Sequence, residues 1–165
     1  MLDCDGVLTD GRIILLPGGD ETKAFDIKDG HAMRMAPRAG LPIAIISGNT
    51  SSAVRARARD LEVAHLHEGA WMKLEPYEKI LVEEGLTDEE VCFVGDDVVD
   101  IPVLRRAGLA IAVQDAVEEV KRFSHFVTSR RGGRGAVREV IELILKAQNK
   151  WDSALSRYVG DDAGA

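Results

Sequence analysis

Short apolar runs, each closed by a glycine or polar turn and followed by a longer amphipathic stretch, recur along this chain at Pro42 to Ser47, Val63 to Leu66, Val91 to Gly95, Leu109 to Val113 and Phe126 to Thr128. Strands that are apolar almost throughout must be covered on both faces, which is the condition of a parallel sheet. The intervening segments His31 to Ala39, Ser51 to Asp60, Leu74 to Glu84, Val98 to Ala107, Ala116 to Arg122 and Ala136 to Lys146 read as helices. Strand and helix in alternation predict an α/β fold, a doubly wound parallel sheet formed as one domain over residues 1–148. Arg12 to Phe25 breaks the rhythm. Apolar residues flank the turn formers Pro17-Gly18-Gly19-Asp20, which predicts a β-hairpin excursion from the sheet. The tail 149–165 is polar, ends Gly-Asp-Asp-Ala-Gly-Ala, and is expected to be mobile when isolated.

Composition narrows the function classes. With 165 residues, 45% of them apolar, the chain can bury one core. No apolar run approaches the ~20 residues of a membrane span, and no secretory leader pattern is visible, so a soluble, cytoplasmic protein with no membrane partner is expected. A net charge of -7 argues against nucleic acid as a partner and requires that an anionic substrate meet local cations. Cys4 and Cys92 lie within apolar runs and are read as reduced thiols without a role. His31, His65, His67 and His125 have no spacing that demands a metal. The first acidic motif begins at Asp3, leaving Met1 and Leu2 to form its strand. The expectation is that the natural product starts several apolar residues earlier; an intact mass from the native source beginning at Met1 would contradict it.

Four segments carry chemistry. In Asp3-Cys4-Asp5-Gly6 two carboxylates stand two residues apart, on one face of a strand end, so both can converge on one reacting phosphorus while Gly6 lets the chain turn away. One carboxylate would attack and the other handle the leaving-group proton. Ser47-Gly48-Asn49 closes the strand before the second helix, where a hydroxyl and free backbone N–H groups can bind phosphate oxygens. Lys73 opens a helix, where its ammonium can neutralise both a phosphate and an attacking carboxylate. Gly95-Asp96-Asp97-Val98-Val99-Asp100 places three carboxylates in the last five of its six residues after an apolar strand, a costly cluster unless a cation compensates it.

Taken in the order Asp-x-Asp, Ser-Gly, Lys and Gly-Asp-Asp-x-x-Asp, these segments resemble the haloacid dehalogenase superfamily over nearly the whole chain. The resemblance implies that Asp3 becomes an aspartyl-phosphate, that Asp5 is general acid and then base, and that Ser47 and Lys73 hold the phosphoryl group. It also implies Mg²⁺ bound by Asp3, the Asp5 carbonyl and Asp96, with Asp97 and Asp100 as supporting or metal-site residues and Asp100 the weaker of the two. The gaps Asp5 to Ser47 and Ser47 to Lys73 are too short for an inserted cap domain.

Phe25-Asp26-Ile27-Lys28-Asp29-Gly30-His31 and Gly132-Gly133-Arg134-Gly135-Ala136-Val137-Arg138-Glu139 look more specifically like the 3-deoxy-D-manno-octulosonate 8-phosphate phosphatase subfamily of lipopolysaccharide biosynthesis. That resemblance implies a homotetramer joined through the Arg12 to Phe25 hairpin, a tail able to reach a neighbouring site, and a phosphorylated sugar acid as substrate. Gly48, Asn49, Lys28 and Arg34 are then candidate substrate contacts. Position 49 departs from the pattern: octulosonate phosphatases usually carry Arg there and nonulosonate phosphatases Glu, so a nonulosonate 9-phosphate is the alternative substrate. Two other classes stay open. A related non-catalytic assembly domain occurs fused to sialic acid cytidylyltransferases, but it has no need of four facing carboxylates. A receiver domain shares the acidic site and the lysine, but lacks an acid placed like Asp5.

Overall fold

A computed structural model describes residues 1–19 and 21–159. Strands β1 (Ile14–Leu15) and β2 (Glu21–Thr22) are followed by α1 (Ile27–Met35), β3 (Ala44–Ile46), α2 (Ser52–Asp60), β4 (His65–His67), α3 (Leu74–Glu84) and β5 (Cys92–Gly95). Then come α4 (Ile101–Leu104), β6 (Leu109–Ala112), α5 (Glu118–Lys121), β7 (Phe126–Val127), α6 (Ala136–Ala147) and α7 (Trp151–Val159). Strands β3 and β4 pair in parallel, as do β5, β6 and β7 in that order.

Residues Met1 to Asp3 join the two groups. Leu2 bridges Ile45 on one side and Val94 on the other, both in parallel. Its N–H donates to the Ala44 carbonyl at 2.9 Å, its carbonyl accepts from Ile46 N–H at 2.9 Å, and Asp3 N–H donates to the Val94 carbonyl at 3.0 Å. A central position, with a neighbour on each side, holds this short segment by sheet hydrogen bonds and by burial of Leu2. The strand order is therefore β4, β3, the Leu2 segment, β5, β6, β7, and the expected doubly wound α/β sheet is present. Tyr77, Phe93, Met33, Ile45, Ile46, Ile80, Leu104, Ile111, Ile141 and Leu145 are the largest side chains of its core.

Several boundaries differ from the expectation. Helix α1 begins at Ile27, not His31, because Asp26 caps it, accepting from the N–H groups of Lys28 at 2.7 Å and Asp29 at 3.4 Å. Gly30 inside it lies against Arg57; a Cβ there would come within 2.0 Å of the guanidinium. The helix expected over Val98 to Ala107 is shorter, a 3₁₀ turn at Val98–Asp100 leading into α4. The hairpin is present but paired over only two residues a side, Ile14 with Thr22 and Leu15 with Glu21; Asp20 of its turn lies outside the described residues.

The tail expectation is corrected in part. Residues Trp151–Val159 form helix α7, whose Trp151 and Ala154 pack against the core. The half-buried Trp151 ring lies under the cations of Arg138 and Lys146, at 5.2 and 5.3 Å, and Tyr158 meets His31 edge to face at 5.2 Å. Residues 160–165 lie outside the described part.

Candidate active site

The parallel register brings the ends of three neighbouring strands together. Leu2 lies level with Ile45 and Val94, so Asp3, Ser47 and Asp96 all emerge at the carboxyl edge, where open α/β sheets bind their ligands. Asp3 is 5% exposed, Lys73 3% and Asp100 0%. Lys73 Nζ donates to Asp3 Oδ1 at 2.5 Å and to Asp100 Oδ1 at 2.6 Å. Burial alone would lower the lysine's pKa, but the two carboxylates outweigh it and hold the ammonium above its ordinary range.

One ammonium does not balance this cluster. Asp3, Asp96 and Asp100 bring carboxylate oxygens within 4.8 Å of one another. Burial, reinforced by the Asp100 charge, pushes Asp3 up to about 6 against the opposing pull of Lys73. Burial, then Asp3 and Asp100, push Asp96 up to about 8. Asp96 Oδ1 is buried without a hydrogen-bond partner. An orphaned buried oxygen and an all-oxygen donor set fit a hard divalent cation such as Mg²⁺, which would satisfy the oxygen and discharge the repulsion.

Asp100 and Asp97 exchange their expected ranks. Asp100 is fully buried, accepts from Asp96 N–H at 3.0 Å and shares Lys73, so it belongs to the centre itself. Asp97 is exposed and is not drawn into the cluster; it caps the 3₁₀ turn, accepting from Val98 N–H at 2.7 Å. The physical reason is that a capping side chain must fold back on its own turn, which aims it away from Asp3.

Asp5 is held separately. Its Oδ2 accepts from Asn49 Nδ2 at 3.0 Å and its Oδ1 from Lys23 Nζ at 2.5 Å. Ser47 is buried, and its Oγ accepts from Asn49 N–H at 3.3 Å. Gly48 has Trp71 beside it; a Cβ there would lie 4.0 Å from the indole. Gly6 is obligatory twice over: its φ is 95°, and a Cβ would come within 2.0 Å of Asp96 Oδ2. Gly132 and Gly133 brace this loop from behind. Gly133 N–H donates to the Val7 carbonyl at 2.8 Å, and a Cβ on Gly132 would come within 1.6 Å of the Gly6 carbonyl. Arg134, between the glycines, donates to Asp10 at 3.2 Å.

Two expected substrate contacts are placed elsewhere in the protomer. Arg34 is committed at the end of α1, donating from Nε to the Asp60 carbonyl at 3.1 Å and lying 3.7 Å from the Asp60 carboxylate. Lys28 is exposed on a groove with Arg130, Arg134 and Arg138, which includes none of Asp3, Asp5, Lys73 or Asp96. Lys23 is the residue that motif reading missed. It belongs to the hairpin arm by spacing, and no motif marks it.

Parallel strands ending in a lysine-tied carboxylate cluster, with a second carboxylate two residues beyond the first, define a Rossmann-like hydrolase domain of the phosphoryl-transfer type. A family model described as haloacid dehalogenase-like hydrolase matches residues 18–108. The 3-deoxy-D-manno-octulosonate 8-phosphate phosphatase of Salmonella typhi is 42% identical over 159 residues, covering 96% of this chain and 85% of that protein. The crystal structure of the corresponding phosphatase from Moraxella catarrhalis, in complex with magnesium, phosphate and KDO, superposes with a TM-score of 0.92 at 38% identity, over 95% of this chain and 90% of that one. The cobalt-bound form of the Haemophilus influenzae phosphatase gives 0.89 at 34% identity, over 96% and 91%. The chain belongs to the haloacid dehalogenase-like hydrolase family and, within it, to the 3-deoxy-D-manno-octulosonate 8-phosphate phosphatases.

Proposed function

We propose that this protein is a cytoplasmic, magnesium-dependent phosphatase that hydrolyses 3-deoxy-D-manno-octulosonate 8-phosphate, with Asp3 as nucleophile and Asp5 as general acid and then base. The observation that carries the reading is the division of cations: Lys73 grips Asp3 and Asp100, while Asp5, two residues on, is held by a different pair of donors. Two carboxylates so close together are thereby given different surroundings and can take different roles.

Asp3 bonds to phosphorus as the ester bond breaks, and Asp5 gives its proton to the departing sugar oxygen. Asp5 then takes a proton from water, whose oxygen attacks phosphorus and breaks the bond to Asp3, leaving phosphate and both carboxyl groups restored. Lys73 and the Ser47 hydroxyl, with the backbone N–H of Gly48, hold the phosphoryl oxygens. Asp3, the Asp5 carbonyl and Asp96, with Asp100 beside them, would hold Mg²⁺, which would supply the positive charge that lets a phosphate dianion approach these acids. Asn49 acts chiefly through Asp5, since its amide is spent on that carboxylate. Contacts from Lys28 to the sugar acid would come across an assembly.

That assembly is a homotetramer built on the hairpin, whose Ile13, Ile14, Leu15 and Leu16 are all exposed in the protomer. The first experiment is phosphate release with Mg²⁺ from octulosonate 8-phosphate and nonulosonate 9-phosphates, with Asp3→Asn as control. Preference for the 8-phosphate and a loss of at least about 1,000-fold in Asp3→Asn are expected. Preference for a 9-phosphate would replace the substrate, and turnover surviving in Asp3→Asn would overturn the mechanism.

A further inference from the structure

Lys23 comes from the base of an exposed hairpin, where its flexible four-carbon stem has open solvent within reach, yet its side chain is only 1% exposed. Turning it inward forfeits rotamer freedom and the hydration of a compact ammonium. Its partners show what offsets that loss. Nζ donates to Asp5 Oδ1 at 2.5 Å, and Glu21 Oε1, buried and otherwise unpartnered, stands 3.3 Å away. Asn49 takes the opposite oxygen of Asp5. The carboxylate is thus gripped by one oxygen from the hairpin and by the other from the loop after β3, which fixes its plane.

The charges around it give the grip a purpose. Once Asp5 has surrendered its proton it is a carboxylate outside the reach of the lysine that answers Asp3 and Asp100. Lys73 is committed to Asp3 and Asp100, so among the described residues Lys23 is the cation in contact with Asp5. We propose that Lys23 is a positioning residue for the acid–base group, orienting Asp5 toward the leaving oxygen and stabilising its carboxylate after proton transfer. This rests on the role given to Asp5 above and extends the reactive apparatus into the hairpin.

The test compares two esters. An alkyl ester such as the octulosonate 8-phosphate needs a proton delivered to its leaving oxygen, whereas 4-nitrophenyl phosphate departs as a stable phenolate. Positioned general acids contribute about 10²–10⁴-fold. Lys23→Met should therefore lower kcat/KM for the sugar phosphate by about 100-fold and for 4-nitrophenyl phosphate by less than about 10-fold. Lys23→Arg should recover part of the loss. Lys23→Met/Glu21→Gln, which leaves no unpaired Glu21 charge, serves if the single variant does not fold, and should show the same separation of the two esters. An equal fall on both esters would reduce Lys23 to a structural ion pair and overturn the inference while leaving the phosphatase reading intact. A wild-type protein silent on both would overturn the two together.

Discussion

At the carboxyl edge of the sheet, Asp3, Lys73 and Asp100 are almost wholly buried, whereas in the hairpin Ile13 and Leu15 stand 63% and 71% exposed. Each region reverses the usual sorting of charge outward and apolar surface inward, and each reversal has a different remedy. Buried carboxylates must be answered from within, by Lys73 and by a cation that the orphaned Asp96 oxygen is able to receive. Exposed isoleucine and leucine can be answered only from outside, by another surface that covers them. Stored unfavourable energy thus marks chemistry in one place and association in the other. Lys23, reaching from the second region into the first, is where they meet.

If the edge cluster depends on its internal cation, removing that cation should have the largest effect on the molecule. Lys73→Met leaves Asp3 and Asp100 buried and unanswered, so we expect the phosphatase activity to vanish and stability to fall by about 3–5 kcal/mol, measured by urea unfolding. Added Mg²⁺ should restore part of that stability but not the activity. A variant as stable as the parent without metal would show that the cluster is not strained and that the comparison fails.

Asp29 separates burial from chemistry. It is 1% exposed and caps the start of α6 from α1, accepting from Gly135 N–H at 3.1 Å and Arg138 N–H at 2.7 Å. Burial outweighs those bonds, with the Asp26 charge adding to it and Arg138 opposing it, and pushes the carboxyl from 3.8 up to about 6. A raised carboxyl favours the protonated folded state, so its contribution to stability is complete below pH 3.8 and is lost as pH rises through 6. Destabilisation by Asp29→Asn should accordingly be larger near pH 4 than at pH 7, by roughly 2 kcal/mol, when the two proteins are unfolded side by side. A difference that stays flat across that window would mean that the backbone donors, not burial, govern this group.

The sheet and its reactive edge were legible because both obey local rules: apolar strands of the right length, and Asp3, Asp5, Ser47, Lys73 and Asp96 each at or just beyond a strand end. What escaped reading depends on pairings distant in sequence. Asp100 reads as the weaker of two supporting candidates until Lys73, 27 positions away, is seen to bond it. Lys23 is one charged residue of a hairpin until its 18-residue separation from Asp5 is closed by folding. Helix α7 lies in a tail with a polar end, and the stacking of Trp151 under Arg138 and Lys146, with Tyr158 against His31, shows what holds it. The value of the Gly132-Gly133 pair likewise lies in which backbone comes close, the Gly6 and Thr9 segments, and no local pattern encodes that.

The hairpin supplies the smallest effect on the protomer and so the sharpest contrast with the edge. A charge placed at Leu15 meets solvent in the isolated chain, where surface substitutions usually move stability by less than about 0.5 kcal/mol. In an assembly that buries this position the same charge would be desolvated without a partner. Leu15→Asp should therefore convert the proposed tetramer to protomers in analytical ultracentrifugation while leaving the circular dichroism unchanged. Folding coupled to assembly makes the unfolding midpoint rise with protein concentration, and that rise should disappear in Leu15→Asp. A variant that still sediments as the parent does would place the contacts of the assembly elsewhere and leave the exposed hairpin without the outside remedy that distinguishes it from the buried acids.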